Sequence, residues 1–248
     1  MKRCSWLLVA SVMAALSSAS CATFHTPQTP ELKPPQKESS ITGNGWWYVR
    51  FAMKWPKDAE PSWYMDPFLA HAVISPVLNK YGNEIVLWRF HRRAARDQAG
   101  HQFSFIFYSS PEAARRIYDG IQSNSLLISM KKAGLIIKDS YDDTSSIDKP
   151  NIEDTSDAKW PPAIQKSWPY YIMGVSEMWL DLVADLAERA PRGKNPDSPV
   201  AIQAFYKKVN ESVTDLWQTE GDHAFLHHLN AIFGYGPLLI YERRPMTF

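Results

Sequence analysis

The stretch 84–109, EIVLWRFHRRAARDQAGHQFSFIFYS, constrains the fold more than any other part of the chain. Two runs rich in aromatic and β-branched residues flank a short polar connection that ends in Gly100, a pattern typical of a β-hairpin. Trp88 and Phe90 share one face of the first strand. The second strand carries apolar side chains on both faces, with Phe103, Phe105 and Phe107 on one and Ile106 and Tyr108 on the other. Both faces of such a sheet require cover.

The N-terminal segment 1–20 has the organisation of a signal peptide. Lys2 and Arg3 form a basic start, an apolar run follows from Trp6 to Leu16, and small residues precede Cys21. The apolar run is shorter than the ~20 residues needed to span a bilayer as a helix, so a cleaved leader is favoured over a permanent anchor. The sequence therefore predicts export from the cytoplasm.

Residues 18–21, SASC, resemble the lipobox of bacterial lipoproteins, although Ser18 stands where that pattern has Leu or a similar branched residue. The resemblance covers only the leader, and no family is recognised for the mature domain. It implies that Cys21 is lipidated and joins the protein to a membrane. Because Ala22 follows where Asp would imply inner-membrane retention, it also implies the outer membrane, facing the periplasm. Ordinary signal-peptidase cleavage after Ser20 or Ala22 is the alternative.

Residues 21–44 are predicted to form a tether, because four prolines stand among polar residues between 22 and 40. Proline-rich chains extend by ~3.1 Å per residue, so the folded part can stand several tens of Å from the membrane. The net charge of +1 gives no global field favouring nucleic acid, and none is expected as a partner.

Segment 45–141 is predicted to be an α+β unit of ferredoxin-like βαββαβ topology. A strand begins at Gly45, and Asp66 and Pro67 mark a helix start, with Pro76 predicting a kink or an early end. The hairpin follows, then a helix from Ser110 and a last strand. In this topology the first and third strands are central and the basic second strand lies at an edge.

The remainder divides into an acidic linker, 142–159, and a helical segment, 160–248. We expect the linker to be solvated, with a calcium loop as a weaker alternative because the D-x-[DN]-x-[DN]-G pattern is absent. Two amphipathic helices, a third that stops at Gly234 and a short final strand at 238–241 are predicted after it. The helical segment is expected to cover the second face of the sheet, which would make 45–141 and 160–248 one cooperative unit.

Two groups of side chains are candidate sites. His223 and His227 are four residues apart, a spacing that can hold a metal on one helical face, although Ala224 replaces the Glu of H-E-x-x-H. The simpler interpretation is that these histidines flank an apolar stripe. The second group, around the hairpin, could bind a phosphate or carboxylate, the alternative being a solvated edge strand. It comprises Arg89, His91, Arg92, Arg93, Arg96 and His101, with His91 opposing His101 if the hairpin pairs symmetrically.

The motifs of common enzyme classes are missing from the sequence. G-x-S-x-G, C-x-x-C, a phosphate loop and a dinucleotide fingerprint are all absent, and no cofactor is indicated. The sequence therefore favours a lipid-anchored, non-catalytic envelope protein that binds or scaffolds another envelope component. The alternatives are a metal-dependent hydrolase using His223 and His227, and a binder of a small anionic ligand through the arginine cluster.

Overall fold

A four-stranded antiparallel sheet forms the centre of the computed structural model, which describes residues 43–191 and 197–237. The strands lie in the order β2-β3-β1-β4, so the first and third strands are central. With the helices this confirms the predicted mixed α+β class. The strand bounds are β1 Gly45–Met53, β2 Leu87–Ala94, β3 His101–Ser109 and β4 Ile136–Tyr141. The leader, Cys21, most of the tether and the predicted strand at 238–241 lie outside the described residues.

The helices begin where the sequence supplies caps. The Ser110 hydroxyl accepts a hydrogen bond from the Ala113 N–H, and the Ser198 hydroxyl accepts one from the Ala201 N–H. The first helix does not end near Pro76: a π-helical turn lies just before the proline and the helix then continues. The helices are α1 Met65–Phe68, a π-helix Leu69–Ile74, α2 Ser75–Tyr81, α3 Pro111–Gln122, α4 Ser125–Lys132, α5 Pro162–Arg189, α6 Pro199–Gly221, a π-helix Asp222–His227 and α7 His228–Ile232. Short 3₁₀ helices span Gly82–Glu84 and Ile152–Thr155.

One face of the sheet, called here the covered face, carries the main core. Trp88 pairs with Phe107 and Phe90 with Phe105, so these four rings lie on the same face. Helices α1 to α6 all contribute buried side chains to this core. The expectation that the helical segment covers the second face is therefore wrong for most of its length. Charged side chains on the second face would lose their water under a helix, which opposes such packing.

The second face, called here the open face, has a small apolar cluster at one end. Trp46, Leu87, Ile106 and Tyr108 are buried there, with Met173 of α5 packed against them. The segment 149–152, predicted as solvated linker, lies against this cluster: the Trp46 indole N–H donates to two carbonyls in it, and the Tyr108 hydroxyl donates to another at 2.6 Å. Further along, the side chains of the face are mostly polar or charged.

Helix α5 runs beside the edge strand β2. The Phe90 N–H, on the outer edge of that strand, donates to the Ser176 hydroxyl at 3.1 Å, and this hydroxyl donates to the Ile172 carbonyl at 2.7 Å. Trp179 packs on Phe90 with ring centroids 5.5 Å apart. The edge that could template pairing with another chain is thus blocked by a helix. Among the described residues, no helix combines the length and apolar character needed to cross a membrane.

Candidate functional site

The register of the hairpin divides the arginine and histidine cluster between the two faces. His91 pairs with Ser104, and His101 pairs with Ala94, so the expectation that the two histidines oppose one another is wrong. The strands are not paired symmetrically about the connecting loop: each histidine pairs three residues away from the other. Because three is an odd number, the two imidazoles lie on opposite faces of the sheet. Arg92 and His101 lie on the covered side and are joined there by Arg96. Arg89, His91 and Arg93 lie on the open face.

A buried carboxylate organises the cations of the covered side. Asp66 is fully buried and accepts from the Arg92 Nε at 2.6 Å, while the His101 Nε2 lies 3.3 Å from its second oxygen. The sequence suggested Asp66 as a helix cap, but its side chain makes no cap hydrogen bond. It is instead the counter-ion of Arg92, with the His101 ring beside it, and we call Asp66, Arg92 and His101 the covered-side cluster.

Tryptophan rings enclose these cations. The Arg92 guanidinium lies 5.3 Å from the Trp63 ring and 5.4 Å from the Trp179 ring. Arg96 lies 4.1 Å from the Trp55 ring and donates to the Ala59 carbonyl at 2.7 Å. Cation–π contact and charge-assisted hydrogen bonding both hold a guanidinium in place. Arg92 and Arg96 therefore have structural contacts that stabilise the fold, and we do not assign them to a ligand-binding site.

The open face collects cations from several strands. In one cross-strand row, His91 of β2 pairs with Ser104, which pairs with Arg50 of β1. In the next row, Arg93 pairs with Gln102, which pairs with Ala52, which in turn pairs with Lys138 of β4. Neighbouring strands are ~4.8 Å apart, so the cations of β2 lie two strand spacings from Arg50 on β1 and three from Lys138 on β4, at the opposite edge of the sheet. We call Arg50, Arg89, His91, Arg93 and Lys138 the open-face cluster.

Charge on the open-face cluster is only partly neutralised. Arg50 forms an ion pair with Asp142 at 2.7 Å, and Arg93 pairs with Asp97 in the connecting loop. Within 43–191 and 197–237, no carboxylate forms an ion pair with Arg89, His91 or Lys138. The face therefore retains positive potential.

Two side chains of the open-face cluster have lowered pKa values. Burial lowers the pKa of the Arg89 guanidinium, whose buried Nε has no hydrogen-bond partner among the described residues. Burial, together with the nearby charges of Arg89 and Arg93, also lowers the pKa of His91. A bound anion would reverse both effects, because it favours the charged form of each group.

The Tyr48 ring, at the centre of the open face, is already occupied. Arg50 lies 4.4 Å and Lys149 lies 4.3 Å from its centroid, and the Lys149 Nζ donates to its hydroxyl at 2.9 Å. Trp46 and Tyr108, the aromatic residues further along, are buried. The face thus offers charge and hydrogen-bond donors but little free aromatic surface.

His223 and His227 lie in the π-helix 222–227, and His228 begins helix α7. This wider helix brings His228 beside His223 and His227, with each pair of ring centroids 5.4 Å apart. All three are exposed. In the part of the chain that the structure describes, no group of three or more His, Cys, Asp or Glu is arranged to hold a metal. The metal site stays a prediction, and sequence spacing did not indicate that His228 joins the pair.

Sequence reasoning did not assign Arg50, Lys138 and Asp66 to a site. Alternation along β1 puts Arg50 opposite the apolar face of Trp47 and Val49, and that signal was available. Its nearness to the β2 cations depends on the order of the strands in the sheet, which cannot be inferred from the residues around Arg50 alone. Lys138 follows a bulge in the pairing of β1 and β4, and such a bulge obscures alternation.

Comparison with known proteins supplies no family. No protein-family model matches the chain, and no curated protein matches its sequence. A solved structure titled "Crystal structure of TsrL" is similar at 15% sequence identity and a TM-score of 0.34, covering 77% of this chain and 49% of that one. This chain thus spans about half the length of that structure.

Proposed function

We propose that the chain is a lipid-anchored protein of the bacterial cell envelope, held by Cys21 in the outer membrane and facing the periplasm. Its role is binding rather than catalysis, and the open-face cluster is the surface that contacts an anionic envelope component. The leader and the SASC segment support the anchor, and the proline-rich tether supports a domain held away from the bilayer.

The observation that carries this proposal is the distribution of partners among the hairpin cations. Arg92 is paired with buried Asp66 and enclosed by indoles, whereas Arg89 has no ion-pair partner among the described residues. An unpaired, half-buried guanidinium lowers stability, so its presence on an accessible face favours a binding role. The sheet gives this cluster a rigid support.

We also infer that the sheet and helices α1 to α4 form a ferredoxin-like split βαβ arrangement. The order β2-β3-β1-β4 and the antiparallel pairing of all neighbours support this assignment. In that arrangement helices lie on one face of the sheet, which leaves the opposite face available to ligands. The fold by itself does not define the ligand.

The anchor is tested by labelling and fractionation. Wild-type protein should incorporate labelled palmitate and sediment with membranes, and Cys21→Ser should do neither. Absence of label in the wild type, or unchanged fractionation of the variant, would show that the leader is removed by ordinary signal peptidase.

The binding surface is tested with the full chain carrying Cys21→Ser, which removes the anchor from the assay. This protein should sediment with isolated cell envelopes, and added salt should release it because the contact is electrostatic. Arg89→Gln with Arg93→Gln should abolish sedimentation. Arg115→Gln with Arg189→Gln removes the same charge from exposed helical positions and should sediment normally. Equal sedimentation of both double variants would refute the open face as the binding surface.

A further inference from the structure

We infer that the open-face cluster is a site for a phosphate group, carried by an envelope lipid or glycan. This inference rests on the proposed function and assigns the chemical class of its ligand. Three features of the described residues support it: the number of cations, the hydrogen-bond donors that they present, and the lack of free aromatic surface beside them.

The first feature is charge. Arg50, Arg89, Arg93 and Lys138 point from three strands to one face, with Asp142 and Asp97 as the carboxylates paired to them. Two of these cations remain without an ion pair inside the described chain. A phosphate monoester carries close to two negative charges at neutral pH, so it matches Arg89 and Arg93, which flank His91 on one face of β2, better than a single carboxylate does.

The second feature is the set of donors. Arg89 is partly exposed and its buried Nε lacks a partner among the described residues, so the described fold does not itself satisfy this guanidinium. Arginine offers a planar fork that fits phosphate oxygens in bidentate geometry, and Arg93 lies on the same face of β2.

The third feature argues against nucleic acid as the carrier. Proteins that bind single strands stack bases on aromatic side chains. Here Arg50 and Lys149 already lie against Tyr48, and Trp46 and Tyr108 are buried. A phosphate on a lipid headgroup or on a glycan requires no such platform. The open face is therefore suited to the phosphate and not to a base.

His91 is a built-in reporter for this site. Its imidazole stands between Arg89 and Arg93 on its own strand and faces Ser104 on the next, and burial together with both guanidinium charges lowers its pKa. Phosphate bound beside it would stabilise the imidazolium form. The pKa of His91 should rise when phosphate binds, and no general stabilisation of the fold would produce that change.

The test is a titration of the full Cys21→Ser chain with inorganic phosphate, in which the NMR signals of the His91 ring are monitored. Saturable shifts and a raised His91 pKa are expected. Arg89→Gln should weaken binding roughly tenfold or more, as expected for the loss of one charge-assisted hydrogen bond. Arg189→Gln, a matched exposed arginine, should bind like the wild type. Absent shifts, or equal shifts with acetate at matched ionic strength, would overturn the inference.

Further arms identify the carrier. Vesicles of phosphatidylcholine containing phosphatidic acid, whose phosphate is a monoester, should compete with inorganic phosphate if the phosphate belongs to a lipid, and vesicles of phosphatidylcholine alone should not. Competition by phosphorylated sugars but by neither vesicle would assign it to a glycan; both results support the phosphate site. If the affinity for single-stranded DNA increases with its length by more than the added phosphates account for, the phosphate site would be overturned. Envelope sedimentation that needs Arg89 without phosphate binding would overturn the ligand class alone. Phosphate binding without that dependence would overturn only the proposed function.

Discussion

Arg92 and Arg89 stand three residues apart on one strand, yet they are in opposite situations. Arg92 projects to the covered face, where Asp66 and two tryptophans surround it. Arg89 projects to the open face, where its Nε has no partner within the described residues. Both residues are arginines, so charge does not distinguish them. The face of the strand on which a residue lies, set by its odd or even position, separates a structural cation from a candidate binding cation.

The two guanidinium groups are expected to contribute to the free energy of unfolding with opposite signs. A buried carboxylate that is hydrogen-bonded to a guanidinium is expensive to disrupt, since removal of one partner leaves the other without compensation. A half-buried guanidinium without a partner already carries a desolvation penalty. Substitution should therefore destabilise the covered side and relieve strain on the open side, and the following variants measure that contrast.

The largest effect is expected for Asp66→Ala. It leaves His101 fully buried beside a lost carboxylate and Arg92 without its ion pair. We expect a loss of roughly 3 kcal/mol in the free energy of unfolding, at the lower end for a broken buried pair because Arg92 keeps access to water. Denaturant titration followed by tryptophan fluorescence measures it, since three indoles surround the cluster.

Asp185→Ala is the matched control for this loss. It removes the carboxylate from the exposed pair with Arg189 on helix α5, and such pairs contribute less than about 1 kcal/mol. If the two aspartate variants unfold at the same denaturant concentration, the covered-side cluster does not stabilise the fold and the contrast between the faces fails.

An intermediate effect of opposite sign is expected for Arg89→Met. Methionine preserves the length and apolar stem of the side chain while removing the guanidinium with its unpartnered Nε. The free energy of unfolding should rise by about 1 kcal/mol, the lower range for relief of an unsatisfied buried donor. The same variant should lose phosphate binding, so stability and binding would change in opposite directions.

Arg189→Met provides the reference for this measurement, because an exposed surface substitution changes stability by no more than about 0.5 kcal/mol. A destabilised Arg89→Met would mean that the guanidinium has a stabilising partner in the folded protein. That result would place Arg89 with Arg92 as a structural cation and remove the central residue of the binding face.

Much of the fold followed from local pattern. The aromatic residues Phe103, Phe105 and Phe107 predicted a strand, and Ser110 with Pro111 predicted the start of α3. The basic strand was expected at an edge, and β2 lies there. These features depend on residues close together in the chain, where the steric rules of strands and helix caps apply directly.

The site was less accessible to sequence reasoning because it depends on register and strand order. His91 pairs with Ser104, three residues away from His101, and because an odd shift in register changes the face, the two histidines are separated. Arg50 joined the cluster through the placement of β1 next to β3, and Asp66 reached His101 through the packing of α1. Such long-range contacts leave no periodic signal in the residues that make them.

The smallest effect concerns pH and isolates the open face alone. The pKa of His91 is lowered in the folded chain by burial, Arg89 and Arg93, so the unfolded chain takes up this proton at higher pH. The unfolded state is therefore favoured as pH falls below ~6.5, the ordinary pKa of histidine, and wild-type stability should decline there. His91→Gln should decline less over that window. Arg93→Gln should move the His91 pKa upward in an NMR titration, because one of the two repelling charges is gone. If the His91 pKa is unchanged in Arg93→Gln, the guanidinium charges do not act on the imidazole, and the positive potential assigned to the open face is not there.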